Sequence, residues 1–339
     1  MCELDKYCEL SLITDIKSRQ ALIPRERTRT LKDWTKTSLQ VASQFIDLMK
    51  PEVIIFQYVP NMYNQKGGIN FSFPQFIGNI SKEIKIIGIF HELYYPLLPE
   101  LRSIILHPCH RYQLNLLIER CDSIVTTTDE FAYILSKIIK EKPIHSLPVY
   151  SNIKLSPTKP EKVTDSKIQI ALIGGLHPSK KIPEIAKKLI QLSGTLDIKI
   201  NLFGVNQEEW KEFHLDQVKV HGHLDENEFS IALRSMDLVI AYFIDGLSTR
   251  RGSVMSALQH GLPVISTKQL RLAKELQQAP GIYLLSRKLP QFLNEMVQVI
   301  NNYSAPTIER RNQIMEFYER NYSVKRVLRN FKEYVLNSI

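Results

Sequence analysis

Two short segments of this sequence bring glycine and positive charge together where a backbone could meet an anion. The first is Gly174-Gly175-Leu176-His177-Pro178-Ser179-Lys180-Lys181, set between an apolar run and a helical pattern. Glycine allows a phosphate to approach the backbone closely, and the N-terminus of a helix offers free N–H groups and partial positive charge. Lys180 and Lys181 add full charge at the end where the helix macrodipole disfavours cations. A bound diphosphate would resolve that conflict. The second is Asp245-Gly246-Leu247-Ser248-Thr249-Arg250-Arg251-Gly252-Ser253, which also follows an apolar run and opens a helix. Arginine presents forked donors that match phosphate oxygens. For both segments the plainer alternative is a solvated basic turn.

Two further loops carry candidate chemistry. His91-Glu92 directly follows the apolar run 84–90, so His91 is placed to bond a sugar hydroxyl or to act as acid–base, unless it is only structural. The loop 57–68 offers Tyr58, Asn61 and Tyr63, residues that suit stacking and hydrogen bonding to a sugar or acceptor. A plain surface loop is its alternative. His107, Cys109, His110 and Cys121 do not match paired zinc-ligand spacings, and buried thiols with a polar turn account for them better. The sequence has no Asp-x-Asp pair to hold a divalent ion, so no metal is expected. No side chain stands out as a covalent nucleophile. The dinucleotide fingerprint G-x-G-x-x-G is absent, which argues against a nicotinamide oxidoreductase.

These loops need elements to hold them. Short apolar runs alternate with helical patterns, the signature of parallel α/β architecture. Strands are expected at 53–56, 84–90, 123–126, 168–173, 197–203, 218–221, 238–241, 263–266 and 282–285. Helices are expected before Pro51, over 129–140 with Thr128 or Asp129 as N-cap, from Ile182, from Gln207, over 226–234 and 251–260, and at the end of the chain. Residues 151–166 are polar, hold two prolines and keep no period, which marks a linker between domains at 1–150 and 167–339. Two α/β domains joined in this way imply a cleft, and in open parallel sheets ligands bind beyond the carboxyl ends of the strands.

Composition narrows the classes. The 339 residues are enough for two cores, and 44% hydrophobic content excludes a disordered chain. No apolar run approaches the ~20 residues of a membrane span. The N-terminus, Met1-Cys2-Glu3-Leu4-Asp5-Lys6, has no signal-peptide pattern, so a cytoplasmic protein is expected and its four cysteines are expected to be reduced. The net charge of +9 is spread out rather than massed, so no nucleic-acid partner is expected. Its densest early patch, Arg25 to Arg29, reads as a solvated loop or a contact to phosphate or a membrane surface at the inner face.

The segment 174–180, the stretch Asp245 to Val264 closing in Ala257-Leu258-Gln259-His260-Gly261-Leu262-Pro263-Val264, and the segments 56–60 and 90–94 together resemble the retaining glycosyltransferases of family 4, the group 1, glycogen-synthase-like enzymes. The resemblance runs from about Pro51 to the C-terminus. It implies an α/β GT-B fold, with two Rossmann-like domains facing across a cleft, the first on the acceptor side and the second binding the donor. It implies transfer of a hexose-like sugar from a nucleotide-diphosphate sugar, as co-substrate, to an acceptor the sequence does not name, with retention and with neither cofactor nor obligatory metal. Catalytic roles then fall to His91, Lys180, Arg250 and Arg251. Donor contacts fall to Gly246, Ser248, Thr249 and Ser256 by the resemblance, and to Gly174, Gly175 and Lys181 by the glycine–lysine loop itself, while the loop readings place Tyr58, Asn61, Tyr63 and Glu92 on the acceptor side. Three departures stand out. Gly175 replaces an arginine, Ser248 and Ser256 replace a pair of glutamates eight apart, and no glycine-rich loop precedes the apolar Leu10 to Ile13, which leaves the first strand open. A non-catalytic nucleotide- or sugar-binding protein of the same fold is the alternative. A GT-B epimerase or sugar phosphorylase is a more distant one.

Overall fold

The computed structural model describes all residues except 1–7, 16–23, 64–67, 98–99, 158–166, 270 and 339. Part of the expected linker, and part of the loop 57–68, therefore lie outside the described residues. The chain divides into two units, one made of Met1–Leu147 with Leu328–Ile339, the other of Pro148–Val327.

In the first unit, β1 (Leu12–Asp15) and β2 (Thr28–Leu31) pair in parallel as a separate two-stranded sheet. A strand therefore does exist at the apolar Leu12-Ile13, but it does not join the main sheet. Arg25 to Arg27 form a 3-10 turn and Thr28 opens β2, so the early basic patch is ordered chain rather than a free loop. After α1 (Lys36–Met49) come β3 (Val53–Tyr58), α2 (Ser72–Gly78), β4 (Lys85–Phe90), α3 (Leu101–Arg120), β5 (Ser123–Thr126), α4 (Asp129–Ile138) and β6 (Ile144–Ser146). The four strands β3 to β6 lie side by side in chain order, all parallel. Thr128 caps α4 as expected, its side chain accepting from the Phe131 N–H at 3.2 Å. Alternation along the strands splits the core in two. Phe56, Tyr58, Ile86, Phe90 and Ile124 face Leu39, Phe73, Leu117 and Leu135 from the helices. Ile87 and Val125 point the other way, against Leu147, Phe331 and Val335.

The second unit contains β7 (Ile168–Ile173), α5 (Ile182–Ser193), β8 (Ile198–Phe203), α6 (Gln207–Lys211), β9 (Val218–Val220), α7 (Glu226–Arg234), β10 (Leu238–Ala241), α8 (Gly252–Gln259), β11 (Val264–Thr267), α9 (Lys274–Gln277), β12 (Ile282–Leu285), α10 (Leu289–Asn301) and α11 (Ile308–Asn321). Its six strands are ordered β12-β11-β10-β7-β8-β9, all parallel. Counted within the unit this is 6-5-4-1-2-3, the doubly wound dinucleotide-fold order. Both faces are covered, which is why these strands are rich in apolar residues, with β10 an unbroken apolar run. Ile170, Leu172, Ile200 and Ile240 pack on Ile185, Leu189, Phe292 and Met296. Ala171, Phe203, Val239 and Val264 pack on Val254, Leu258, Ile314 and Tyr318.

Two boundaries differ from the sequence expectation. Residues 151–156 are packed chain of the second unit: Ser151 N–H donates to Tyr318 Oη at 3.0 Å and Ser156 N–H to Ser230 Oγ at 2.8 Å. The last helix, α12 (Val324–Tyr334), crosses the division, and residues from Leu328 onward belong to the first unit. The reason is the apolar pair Phe331 and Val335, which fills the open face of β4 and β5.

Candidate functional site

In the second unit the chain leaves β7 toward one side of the sheet and β10 toward the other. The two strands are neighbours, with Leu238 opposite Ile170 and Ile240 opposite Leu172. Their carboxyl ends thus form the topological switch point, where the following loops diverge and leave a crevice. The Gly174 loop and the Asp245 loop are the two loops that leave from there. A depression between them is lined by Ile173, Lys180, Ala241, Tyr242 and Phe243.

Local geometry explains why the first loop has its residues. Gly174 has φ +119°, and a Cβ there would collide with the Nζ of Lys180, whose side chain folds back over this glycine. Pro178–Lys180 form a 3-10 turn, and Lys181 takes a left-handed conformation (φ 52°) before α5 begins at Ile182. Lys181 is spent locally on an ion pair with Glu184 at 3.3 Å. Lys180 is not paired in that way. Burial and then the neighbouring Arg251 charge push its ammonium pKa down. Gly175 is exposed, with open space where a side chain would begin.

The second loop is anchored from below and charged above. Thr267 Oγ1 accepts from Phe243 N–H at 3.2 Å and donates to Phe243 O at 2.7 Å, while Leu247 N–H donates to Thr267 O at 2.9 Å. Gly246 has φ +91°, and a Cβ there would lie 2.6 Å from Lys268 O. Arg250 and Arg251 both reach Asp245: Arg250 at 2.6 Å to one carboxylate oxygen, and Arg251 to the other. The Arg251 guanidinium also lies over the Phe243 ring, 4.2 Å from its centroid. Thr249 is buried and its carbonyl accepts from Val149 N–H at 3.0 Å. Ser248 is buried with its Oγ lacking a hydrogen-bond partner. Ser256, one turn into α8, bonds Ser151 Oγ and its own Gly252 O, each at 3.0 Å, so its hydroxyl joins the helix to the incoming chain.

The structure therefore brings Lys180 and Arg251 together, with Arg250 tied to Arg251 through a shared carboxylate. Three cations against one carboxylate leave an excess of positive charge in a partly desolvated place, which favours an anion. Sequence reasoning missed the double role of Asp245 and the platform of Phe243. An acidic residue five and six positions before two arginines was the available signal.

The first unit's candidates fare differently. His91 lies just beyond β4, its Nε2 3.1 Å from Gln57 Oε1. Glu92 follows it, half-buried. Tyr58 and Tyr63 are not presented for stacking on a ligand. Both are buried, Tyr63 stacked on Phe73 at 3.6 Å and edge-on to Trp34, with its hydroxyl bonded to Gln57 O. Burial pushes both phenol pKa values up. The aromatics of this loop fold inward because β3's alternation continues through Tyr58 and the turn after it packs on α2. Asn61 is half-buried and its Oδ1 has no hydrogen-bond partner. Among the described residues no group of three or more His, Cys, Asp or Glu is placed to hold a metal ion.

No family model and no curated protein matches this sequence. Solved structures do match its shape. Sucrose-phosphate synthase from Thermosynechococcus elongatus superposes with a TM-score of 0.71 at 13% identity, over 95% of this chain and 86% of that one. TarM gives 0.65 at 14% identity over 89% of this chain, which spans 58% of TarM's length. An α-glucosyltransferase in complex with UDP-glucose and DNA containing an abasic site gives 0.64 at 12% identity, over 96% of this chain and 90% of that one. At such identities the likeness speaks of architecture, and what it shows is a mixed α/β fold with parallel sheets of the GT-B glycosyltransferase type.

Proposed function

We propose that this chain is a glycosyltransferase that takes a sugar from a nucleotide-diphosphate donor. The observation that carries the reading is the convergence of Lys180, Arg250 and Arg251 on the switch point of the second unit. Charge develops on the leaving diphosphate as the glycosidic bond breaks, and fixed cations there lower the barrier. Arg250 and Arg251 engage it by exchanging the Asp245 carboxylate for phosphate oxygens. An anion there also offsets the Arg251 charge that, after burial, lowers the Lys180 ammonium pKa. The α-glucosyltransferase of the same fold is a complex with UDP-glucose, and a nucleotide sugar is assigned here by analogy. Retention, independence from metal, a hexose as the sugar and placement of His91 at the donor sugar belong to the same proposal and rest on the family resemblance; Glu92 and Asn61 on the acceptor side rest on the residue types of their loops, and a cytoplasmic setting on the sequence pattern of the N-terminus.

A panel of nucleotide sugars, read by thermal shift and by release of free nucleotide, tests it. Stabilisation by one donor with slow nucleotide release supports the reading. No response to any nucleotide refutes it. Binding without release favours a second reading, a non-catalytic binder, for which Ser256 is the specific observation: its hydroxyl is engaged with Ser151 and Gly252, at a position where the family the sequence resembles commonly has a glutamate.

A further inference from the structure

The stretch of α3 from Leu101 to Gln113 is built inside out. Its inward side carries Ser103, His110 and Gln113 beside Leu106, all buried. Its outward side carries Leu101, Ile104, Ile105 and Tyr112, which are 77%, 57%, 53% and 57% exposed. Helical spacing sets these four, with exposed Pro108 between them, on one stripe. Leu97 in the preceding loop is exposed as well, and the Phe71 ring abuts Tyr112 at 5.7 Å. Further along, the ordinary rule returns: Leu114, Leu117 and Ile118 point inward, Asn115 and Glu119 outward. The inversion is thus confined to one end of one helix. A contiguous apolar stripe of this kind marks an interaction site, unlike scattered single residues.

Charge indicates what covers it. Arg102 and Arg111, both exposed, flank the stripe. The acidic residues lie outside the stripe, Glu100 at the N-cap and Glu119 in the last turn of the helix. Apolar side chains in the headgroup boundary with guanidinium groups beside lipid phosphates are the arrangement of an interfacial helix. A standard protein interface takes about 20–30 residues a side, several times this stripe. No helix among the described residues is long and apolar enough to cross a membrane. We infer that the N-terminal half of α3 docks this protein onto an anionic lipid surface, lying in its plane.

Co-sedimentation of the full chain with vesicles tests the inference, using phosphatidylcholine alone and an equal mixture with phosphatidylglycerol. The chain is expected to bind the mixed vesicles, and to bind them less at high salt. Leu101→Ser with Ile105→Ser should lower partition by about tenfold per residue, and Arg102→Gln or Arg111→Gln by about fivefold each. Asn115→Ser, outward on the same helix, should leave binding unchanged. All five side chains are exposed, so melting temperatures should match the parent chain. Three results would each overturn the inference. They are no binding to mixed vesicles, equal binding by the Leu101→Ser/Ile105→Ser variant, or a lipid-free self-association that this variant abolishes. The last would assign the stripe to a second copy.

Discussion

The two units obey one architectural rule and use it differently. Each is a parallel sheet whose loops gather beyond the carboxyl ends of its strands. In the second unit those loops carry Lys180, Arg250 and Arg251, held in conformations that only Gly174 and Gly246 permit, with an internal carboxylate standing among them. In the first unit the loop after β3 turns its aromatics inward, where Tyr63, Phe73 and Trp34 form a core cluster. Position at the end of a strand therefore does not make a residue functional. What separates the units is whether a loop satisfies itself. The first buries its aromatics, though Asn61 Oδ1 stays without a hydrogen-bond partner; the second keeps more positive charge than the Asp245 carboxylate neutralises.

That contrast can be broken, beginning with the largest expected effect. Tyr63→Ala should cost about 3–5 kcal/mol of stability in urea unfolding, the cost of emptying an aromatic core site, while the folded fraction keeps its affinity for inorganic pyrophosphate. A loss of acceptor binding at unchanged stability would return Tyr63 to the ligand side. Arg251→Ala should reduce nucleotide release from a sugar donor by about 10²–10³-fold with the fold intact, the loss typical of removing one donor to a developing oxyanion. Unchanged turnover in a folded variant would sink the assignment. Asp245→Asn removes the internal competitor for both arginines, so pyrophosphate should bind several-fold tighter; weaker binding would recast Asp245 as the residue that orients them.

Two pH effects sharpen the comparison further. Burial and Arg251 lower the pKa of Lys180, so its proton leaves earlier than from a free lysine. Anion affinity should then be full below that value and fall as pH rises through it, and Lys180→Arg should hold it level. The smallest effect concerns His221, stacked on Phe203 and bonded to Asn201 Oδ1 at 3.0 Å. Burial, then Lys219 and Lys199, lower its pKa from 6.5 to about 4. The unfolded chain takes up that proton first, so stability is fully present above 6.5 and declines as pH falls toward 4. Burial lowers His260 too, adding in the same direction. His221→Gln should flatten part of that acid slope in thermal melts; an unaltered slope would remove His221 from the account.

Much of the second unit was legible because its signals are local. Strands such as Ile168–Ile173 and Leu238–Ala241 are buried on both faces, so their apolar runs stand out at the correct length. In the first unit Thr128 announced α4 in the same local way, while the capping boxes of Asp225 with Glu228 and Asn206 with Glu209 went unread. The charged loops were legible for the same reason, since glycine and arginine at a helix start conflict with the helix itself. α3 left no comparable trace, though it spans Leu101–Arg120. Its apolar residues face outward over the first turns, Pro108 removes a helical N–H, and so no single apolar face runs its length. The return of the C-terminus to the first unit was equally hidden: Val327, Phe331 and Val335 mark an apolar face at helical spacing, but nothing local says that its partner lies more than two hundred residues earlier.

That return carries a consequence for the order in which the protein comes into being. The second unit is one unbroken stretch, Pro148–Val327, and can close its core as soon as that stretch has left the ribosome. The first unit is made earlier yet finished later. Ile87, Val125 and Leu147 stay uncovered until Phe331 and Val335 are synthesised. The first unit therefore waits, with part of its sheet bare, for residues that are made after the second unit.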